Sequence, residues 1–152
     1  MTEIQAFWQR FLKATNRPLN TKMTACFHFE LTEELANALL DLVLKGQKKA
    51  TANSLYAYEI EKEPLPKKGD LSIVTDWEGH PKCVIETQAV TILPFKDMSY
   101  DICKREGEDD TLKSWQDGHR RYYEAEGKAL GYTFTADLPV VFEDFEVVYK
   151  ED

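Results

Sequence analysis

Leu44-Lys45-Gly46-Gln47-Lys48-Lys49-Ala50-Thr51 places an amine and a hydroxyl just beyond the end of a predicted helix. Leu35, Ala38, Leu39, Leu42 and Val43 recur before it with a 3.6-residue period, which predicts one apolar helix face. Gly46 supplies the left-handed backbone position that commonly ends such a helix, so Lys48 and Thr51 are expected in the turn that follows. A lysine and a threonine at this spacing can form the edge of an active site. They also have ordinary uses, since lysine near a helix C-terminus complements its dipole and threonine is common in turns.

Thr32 is a suitable cap for the helix before this turn, with Glu33 and Glu34 where exposed backbone N–H groups favour negative charge. Thr2 and Gln5 predict a capped first helix with Ile4, Phe7, Trp8, Phe11 and Leu12 on its apolar stripe, ended by Pro18. Ala25 to Phe29 reads as a short strand. Pro64, Pro66 and Gly69-Asp70 punctuate the chain before the strand Leu71 to Val74, and Glu78-Gly79 turns it into the β-branched run from Cys83 to Leu93, which predicts a hairpin. A third helix is expected from about Asp110 or Thr111 to Gly131, carrying Leu112, Trp115, His119, Tyr122 and Tyr123 on one face. Val140 to Tyr149 reads as a last strand, and the order of elements contains no Rossmann-like repeat.

The 152 residues, 43% of them hydrophobic, suit one domain with a sizeable core. A net charge of -8 and a pI near 5.0 argue against a broad phosphate-binding surface, so a small ligand fits better than long RNA. Cys26, Cys83 and Cys103 form no paired spacing and point to a reducing cytoplasm, while the charged residues spread along the chain leave no run able to span a bilayer. His28, His80 and the dispersed cysteines lack metal-ligand spacing, so no metal and no cofactor are expected.

The Gly46-x-Lys48-x-x-Thr51 spacing resembles a motif of the ASCH domain family. A second stretch, Arg105 to Gln116 followed by His119, Tyr122 and Tyr123, resembles the acidic loop and Trp-x-x-x-His helix of longer ASCH proteins. Together these resemblances cover roughly Met23 to Tyr149 and imply an α+β, PUA-like fold: a small, mainly antiparallel β-barrel with surrounding helices. Residues 1–152 would then be a single ASCH domain with an N-terminal helical extension. The family is associated with RNA or nucleoside recognition. Members resembling bacterial N4-acetylcytidine amidohydrolases use a Lys, a Thr and an acidic-loop Glu as their catalytic set, which maps here to Lys48, Thr51 and Glu108. Glu106, two residues away, is the rival for the third place.

In chemical terms Thr51 would be the nucleophile and Lys48 its base if burial lowered the amine's proton affinity, with the glutamate orienting the amine. Asn53 stands where shorter family members commonly carry an Arg, so a cationic fork is replaced by neutral hydrogen bonds. Asn53, Ser54, Trp115 and His119 are the candidate substrate-binding residues, and Trp77, Tyr56 and Tyr58 are further aromatics able to stack on a base. The expected ligand is a modified nucleoside or single-stranded RNA. Three functions follow from the resemblance: a nucleoside amidohydrolase acting on N4-acylated cytidine, a noncatalytic RNA-binding module, and a ribonuclease.

Overall fold

The computed structural model describes residues 1–151. Its elements run α1 (Glu3–Ala14), β1 (Ala25–Phe27), α2 (Glu33–Leu44), β2 (Ala50–Ser54), α3 (Leu55–Glu61), β3 (Leu71–Thr75), β4 (Pro81–Pro94), α4 (Tyr100–Cys103), α5 (Leu112–Leu130) and β5 (Pro139–Lys150). Short 3₁₀ turns over Phe95–Asp97 and Lys104–Glu106 flank α4. The strands form one curled sheet, a half-barrel of order β1-β3-β4-β5-β2. All pairings are antiparallel except that of β1 with β3.

Local chemistry accounts for the helix starts. Thr2 accepts a hydrogen bond from the Gln5 N–H at 3.1 Å, and the Gln5 side chain accepts one from the Thr2 N–H at 2.9 Å, completing a capping box. Thr32 and Thr111 cap α2 and α5 through their hydroxyls alone, which accept from the N–H groups of Leu35 and Ser114. α1 stops at Ala14, ahead of Pro18, because the chain turns through a left-handed Asn16 at φ 56°. The apolar face of α2 is also rotated from the expected one. Ala36, Leu40 and Val43 are buried, whereas Leu35 is 49% exposed and Ala38 faces solvent, because the helix meets the sheet along its Leu40–Val43 edge.

Three further differences concern short elements. β1 ends at Phe27, Thr51 lies inside β2 instead of in a turn, and α3 and α4 were not expected. α3 begins because Ser54 ends β2 in an extended conformation and its hydroxyl accepts the Tyr56 N–H at 3.0 Å. Among the described residues no helix is long and apolar enough to cross a membrane.

The register decides which side chains share a face. α1 covers one face through Phe7, Trp8, Phe11 and Leu12 against Leu71, Ile73 and Val84. α5 covers the other end of that face through Trp115 and Tyr123 against Ala50, Ala52, Val140 and Phe142. The opposite face carries α2, with Leu40 and Val43 against Phe29, Val74, Ile85 and Phe145. Glu143, two positions from Phe145 along β5, shares that α2-bearing face, and Thr51 and Asn53 join it as the cross-strand partners of Glu143 and Val141.

Candidate active site

Gly46 shapes the entry to the site. At φ 78° it lets its own N–H donate to Val43 O and the Gln47 N–H donate to Leu42 O, which closes α2 in a Schellman motif. The chain then turns inward. The Lys48 N–H also donates to Leu42 O, and the Lys48 side chain runs into the interior with 2% of the residue exposed.

A buried ammonium needs acceptors, and Lys48 Nζ has three. It donates to Ala50 O at 2.7 Å, Glu106 Oε2 at 3.2 Å and Glu108 Oε2 at 2.5 Å, with the Phe29 ring 5.2 Å away. Burial alone would lower the amine's proton affinity, but the charges of Glu106 and Glu108 more than offset it, so the Lys48 pKa is raised. The condition that burial lower the amine's proton affinity is therefore not met in the resting site. Lys48 rests as the ammonium.

The two carboxylates differ because their surroundings differ. Glu106 is buried, which by itself would raise its pKa, yet Lys48, His119 and a 2.6 Å hydrogen bond from Trp115 Nε1 hold it well below the usual range. His119 Nε2 lies 3.0 Å from the same carboxylate oxygen, and its Nδ1 lies 2.9 Å from Trp115 O. A carbonyl and an ionised carboxylate can both only accept, so this imidazole carries protons on both nitrogens. That agrees with its raised pKa: burial opposes the charge, and Glu106 outweighs it. Glu108 keeps some contact with solvent but has fewer donors. Burial, reinforced by the charge of Glu106, pushes it up to about 7 against the pull of Lys48.

The acidic loop is latched to the turn before β2. The Lys49 N–H donates to Arg105 O at 3.0 Å, Gln47 Nε2 to Gly107 O at 2.7 Å, and Arg105 Nε to Asp144 Oδ1 at 2.8 Å. Gly107 sits at φ 72° against the Gln47 carbonyl, where a Cβ would overlap the backbone.

The structure thus brings Lys48 together with Glu106 and Glu108, and links Trp115 and His119 to them through Glu106. Trp115 is wholly buried, its ring stacked at 4.1 Å on His119, so its contact with this cluster is the support of Glu106. Ser54 is wholly buried as the cap of α3. Thr51 and Asn53 are half-buried on the α2-bearing face, where Asn53 Nδ2 approaches Tyr58 OH at 3.4 Å. Among the described residues no side-chain hydrogen bond engages the Thr51 hydroxyl. Tyr56 packs edge-on against Tyr132, and Trp77 lies against His28, away from this cluster.

Glu106 enters as a full partner of Lys48, beyond its role as a rival of Glu108, and Tyr123 was placed only on a helix face. β2 is an edge strand whose Ala50 and Ala52 carbonyls point away from β5. Lys48 Nζ satisfies the first, and Tyr123 OH, at 2.8 Å, the second. An open groove of about 550 Å³ runs beside this region, with Val43, Lys45, Lys48, Lys49, Gln88 and Lys150 among its lining residues. Among the described residues no group of His, Cys, Asp and Glu is arranged to hold a metal ion.

The ASCH domain model matches residues 24–149. An ASCH domain from Lactobacillus crispatus is 35% identical, with a TM-score of 0.86 over 98% of this chain and 96% of that one. Protein EF3133 from Enterococcus faecalis is 33% identical, with a TM-score of 0.89 over 96% of this chain and 88% of that one. The hypothetical protein PH0355, at 20% identity and a TM-score of 0.51, shares the fold alone. No curated protein matches the chain. A family match over most of its length, with close structural likeness to an ASCH domain, shows that this chain belongs to the ASCH domain family.

Proposed function

We propose that this protein is an amidohydrolase that removes the acyl group from N4-acylated cytidine or a closely related modified nucleoside. The reading is carried by one observation: Lys48 is buried between two carboxylates of opposite character, three residues from a threonine whose hydroxyl is uncommitted. A lysine needed only to complement a helix dipole would sit at the surface.

The chemistry follows from the two carboxylates. Lys48 passes a proton to ionised Glu108, leaving a neutral amine to act as the base for Thr51, while Glu106 stays charged through Trp115 and His119. The amine takes the Thr51 proton as its oxygen attacks the amide carbonyl. The ammonium so formed stands next to the developing oxyanion. When the tetrahedral intermediate collapses, the C–N bond breaks, the nucleoside nitrogen receives the proton held by Glu108, and the acyl group remains as an ester on Thr51. Lys48 is then an ammonium and Glu108 a carboxylate, as at the start. Water attacks the ester through the same proton relay, releasing the carboxylate product and restoring the hydroxyl.

The test is mass spectrometry of purified protein with acylated cytidines, following cytidine and free carboxylate together. Equal release of both is expected. Thr51→Ala and Lys48→Met should abolish it, and Glu108→Gln should reduce it by about 100-fold. A folded wild type that turns over none of a varied acyl-cytidine panel, or a fully active Thr51→Ala, would sink the proposal.

The groove favours a second reading, RNA binding without catalysis, because Lys45, Lys49 and Lys150 give it a local basic rim. Intact RNA recovered after tight, salt-sensitive binding, with no turnover of any nucleoside amide, would support that reading. Cleaved RNA would indicate the ribonuclease.

A further inference from the structure

Glu143 is a carboxylate that the proposed chemistry leaves unused. It is the cross-strand partner of Thr51, so the two side chains stand side by side on the α2-bearing face. Its Oε2 accepts a hydrogen bond from Thr87 Oγ1 at 2.6 Å. Among the described residues no Lys, Arg or His nitrogen comes within 4 Å of it. The neighbouring acids behave differently, since Asp144 pairs with Arg105 and Glu106 and Glu108 pair with Lys48.

A half-buried carboxylate without a cation is costly unless something else uses it. Burial raises its pKa, with the charge of Asp70 adding to the effect and the Thr87 hydrogen bond opposing it, so the neutral acid is favoured relative to an exposed carboxyl. Facing a ring nitrogen, whose lone pair can only accept, the carboxyl binds with its proton and offers one donor and one acceptor side by side. With α2 at one end of β5 and α3 at the other, Thr51, Asn53 and Glu143 form a polar stretch of sheet face that stays half-exposed.

We infer that Glu143 is a specificity-determining residue that recognises the N–H/ring-nitrogen edge of an acylated aminoheterocycle, its carbonyl oxygen accepting from the amide N–H and its hydroxyl donating to the adjacent ring nitrogen. This rests on the amidohydrolase reading and narrows the substrate class. The edge occurs in N4-acylcytosine and is missing from simple alkyl amides. Standing beside Thr51, the pairing holds the scissile carbonyl within reach of the nucleophile.

The experiment pairs changes in the protein with changes in the ligand. Wild type, Glu143→Leu and Glu143→Gln are each assayed with N4-acetylcytidine and its 3-deaza analogue, in which a C–H replaces the ring nitrogen. Binding of cytidine and 3-deazacytidine is measured in parallel by calorimetry, with folding checked by circular dichroism. Glu143→Leu should raise KM for N4-acetylcytidine by about tenfold and leave kcat within a few-fold, the loss expected for hydrogen bonds to one edge. Glu143→Gln should recover most of that loss, because its amide also presents an acceptor beside a donor. The 3-deaza substrate should be poorer than N4-acetylcytidine for wild type, and Glu143→Leu should cost clearly less on it, because only the N–H contact is left to lose.

Turnover whose KM ignores Glu143→Leu, or an equal loss on both substrates, would overturn the inference and leave the amidohydrolase standing. Absent turnover with Glu143-dependent discrimination between cytidine and 3-deazacytidine would overturn the amidohydrolase and keep the recognition residue. Neither turnover nor cytidine binding would overturn both.

Discussion

Lys48 shows how strongly a side chain's chemistry depends on what it touches. Desolvation and two carboxylates act in opposite directions on its proton, and the carboxylates win. Removing the cation should therefore be severe. Lys48→Met leaves Glu106 and Glu108 facing each other in the interior, and we expect urea denaturation at neutral pH to show a loss of roughly 3–5 kcal/mol. The loss should shrink on acidification, because protonating the carboxylates removes their repulsion; a loss unchanged at low pH would show that packing is the cause. Glu108 gives the second prediction. Its pKa is raised to about 7, and the proposed relay needs its ionised form, so kcat/KM should climb as pH rises through about 7, and Glu108→Gln should lose this limb. Stability runs the other way. The raised pKa contributes stability that is present at low pH and lost as pH rises through about 7, so Glu108→Gln should flatten the decline in wild-type stability over that range. A wild-type rate that is flat between pH 5 and 9 would contradict the assignment.

At the scale of elements, the acidic loop works because the turn after α2 and the 3₁₀ turn before α5 fit closely. Gly107 is the point of closest approach, and its left-handed φ adds a second reason for glycine. Gly107→Ala should cost roughly 2 kcal/mol or more in chemical denaturation and lower activity further, since the shift needed to relieve the overlap moves Glu106 and Glu108 together. An active, fully stable Gly107→Ala would mean that the loop adapts freely. Gly46→Ala provides the comparison. It shares the left-handed strain but has open space around its Cβ position, so it should lose stability with a smaller effect on the carboxylates. The edge strand β2 depends on similar local partners, with Lys48 and Tyr123 satisfying the two carbonyls that no strand reaches.

For the whole molecule, the net charge of -8 sets the background against which any nucleic acid must bind. The lysines beside the groove are a local exception within an acidic molecule. Unmodified single-stranded RNA is therefore expected to bind weakly, with affinity falling steeply as salt increases. A fluorescence titration across salt concentrations checks this. Tight binding that resists salt would require base stacking to dominate and would favour the RNA-binding reading.

What the sequence determined by itself is the part governed by near neighbours. The caps at Thr2, Thr32 and Thr111, the helix stops at Gly46 and Gly131, and the β3–β4 hairpin depend on residues a few positions apart, and all are present. The paired motifs identified Lys48 with an acidic-loop glutamate, and Lys48 is in contact with Glu108. The tertiary structure decided the rest. Whether Lys48 is neutral or charged turns on carboxylates about sixty positions away, and the apolar face of α2 turns on the edge along which it meets the sheet. The partnership of Thr51 with Glu143 is set by strand register, which joins segments from opposite ends of the chain. Periodicity and capping are local, whereas desolvation, charge pairing and register exist only once distant segments have packed together.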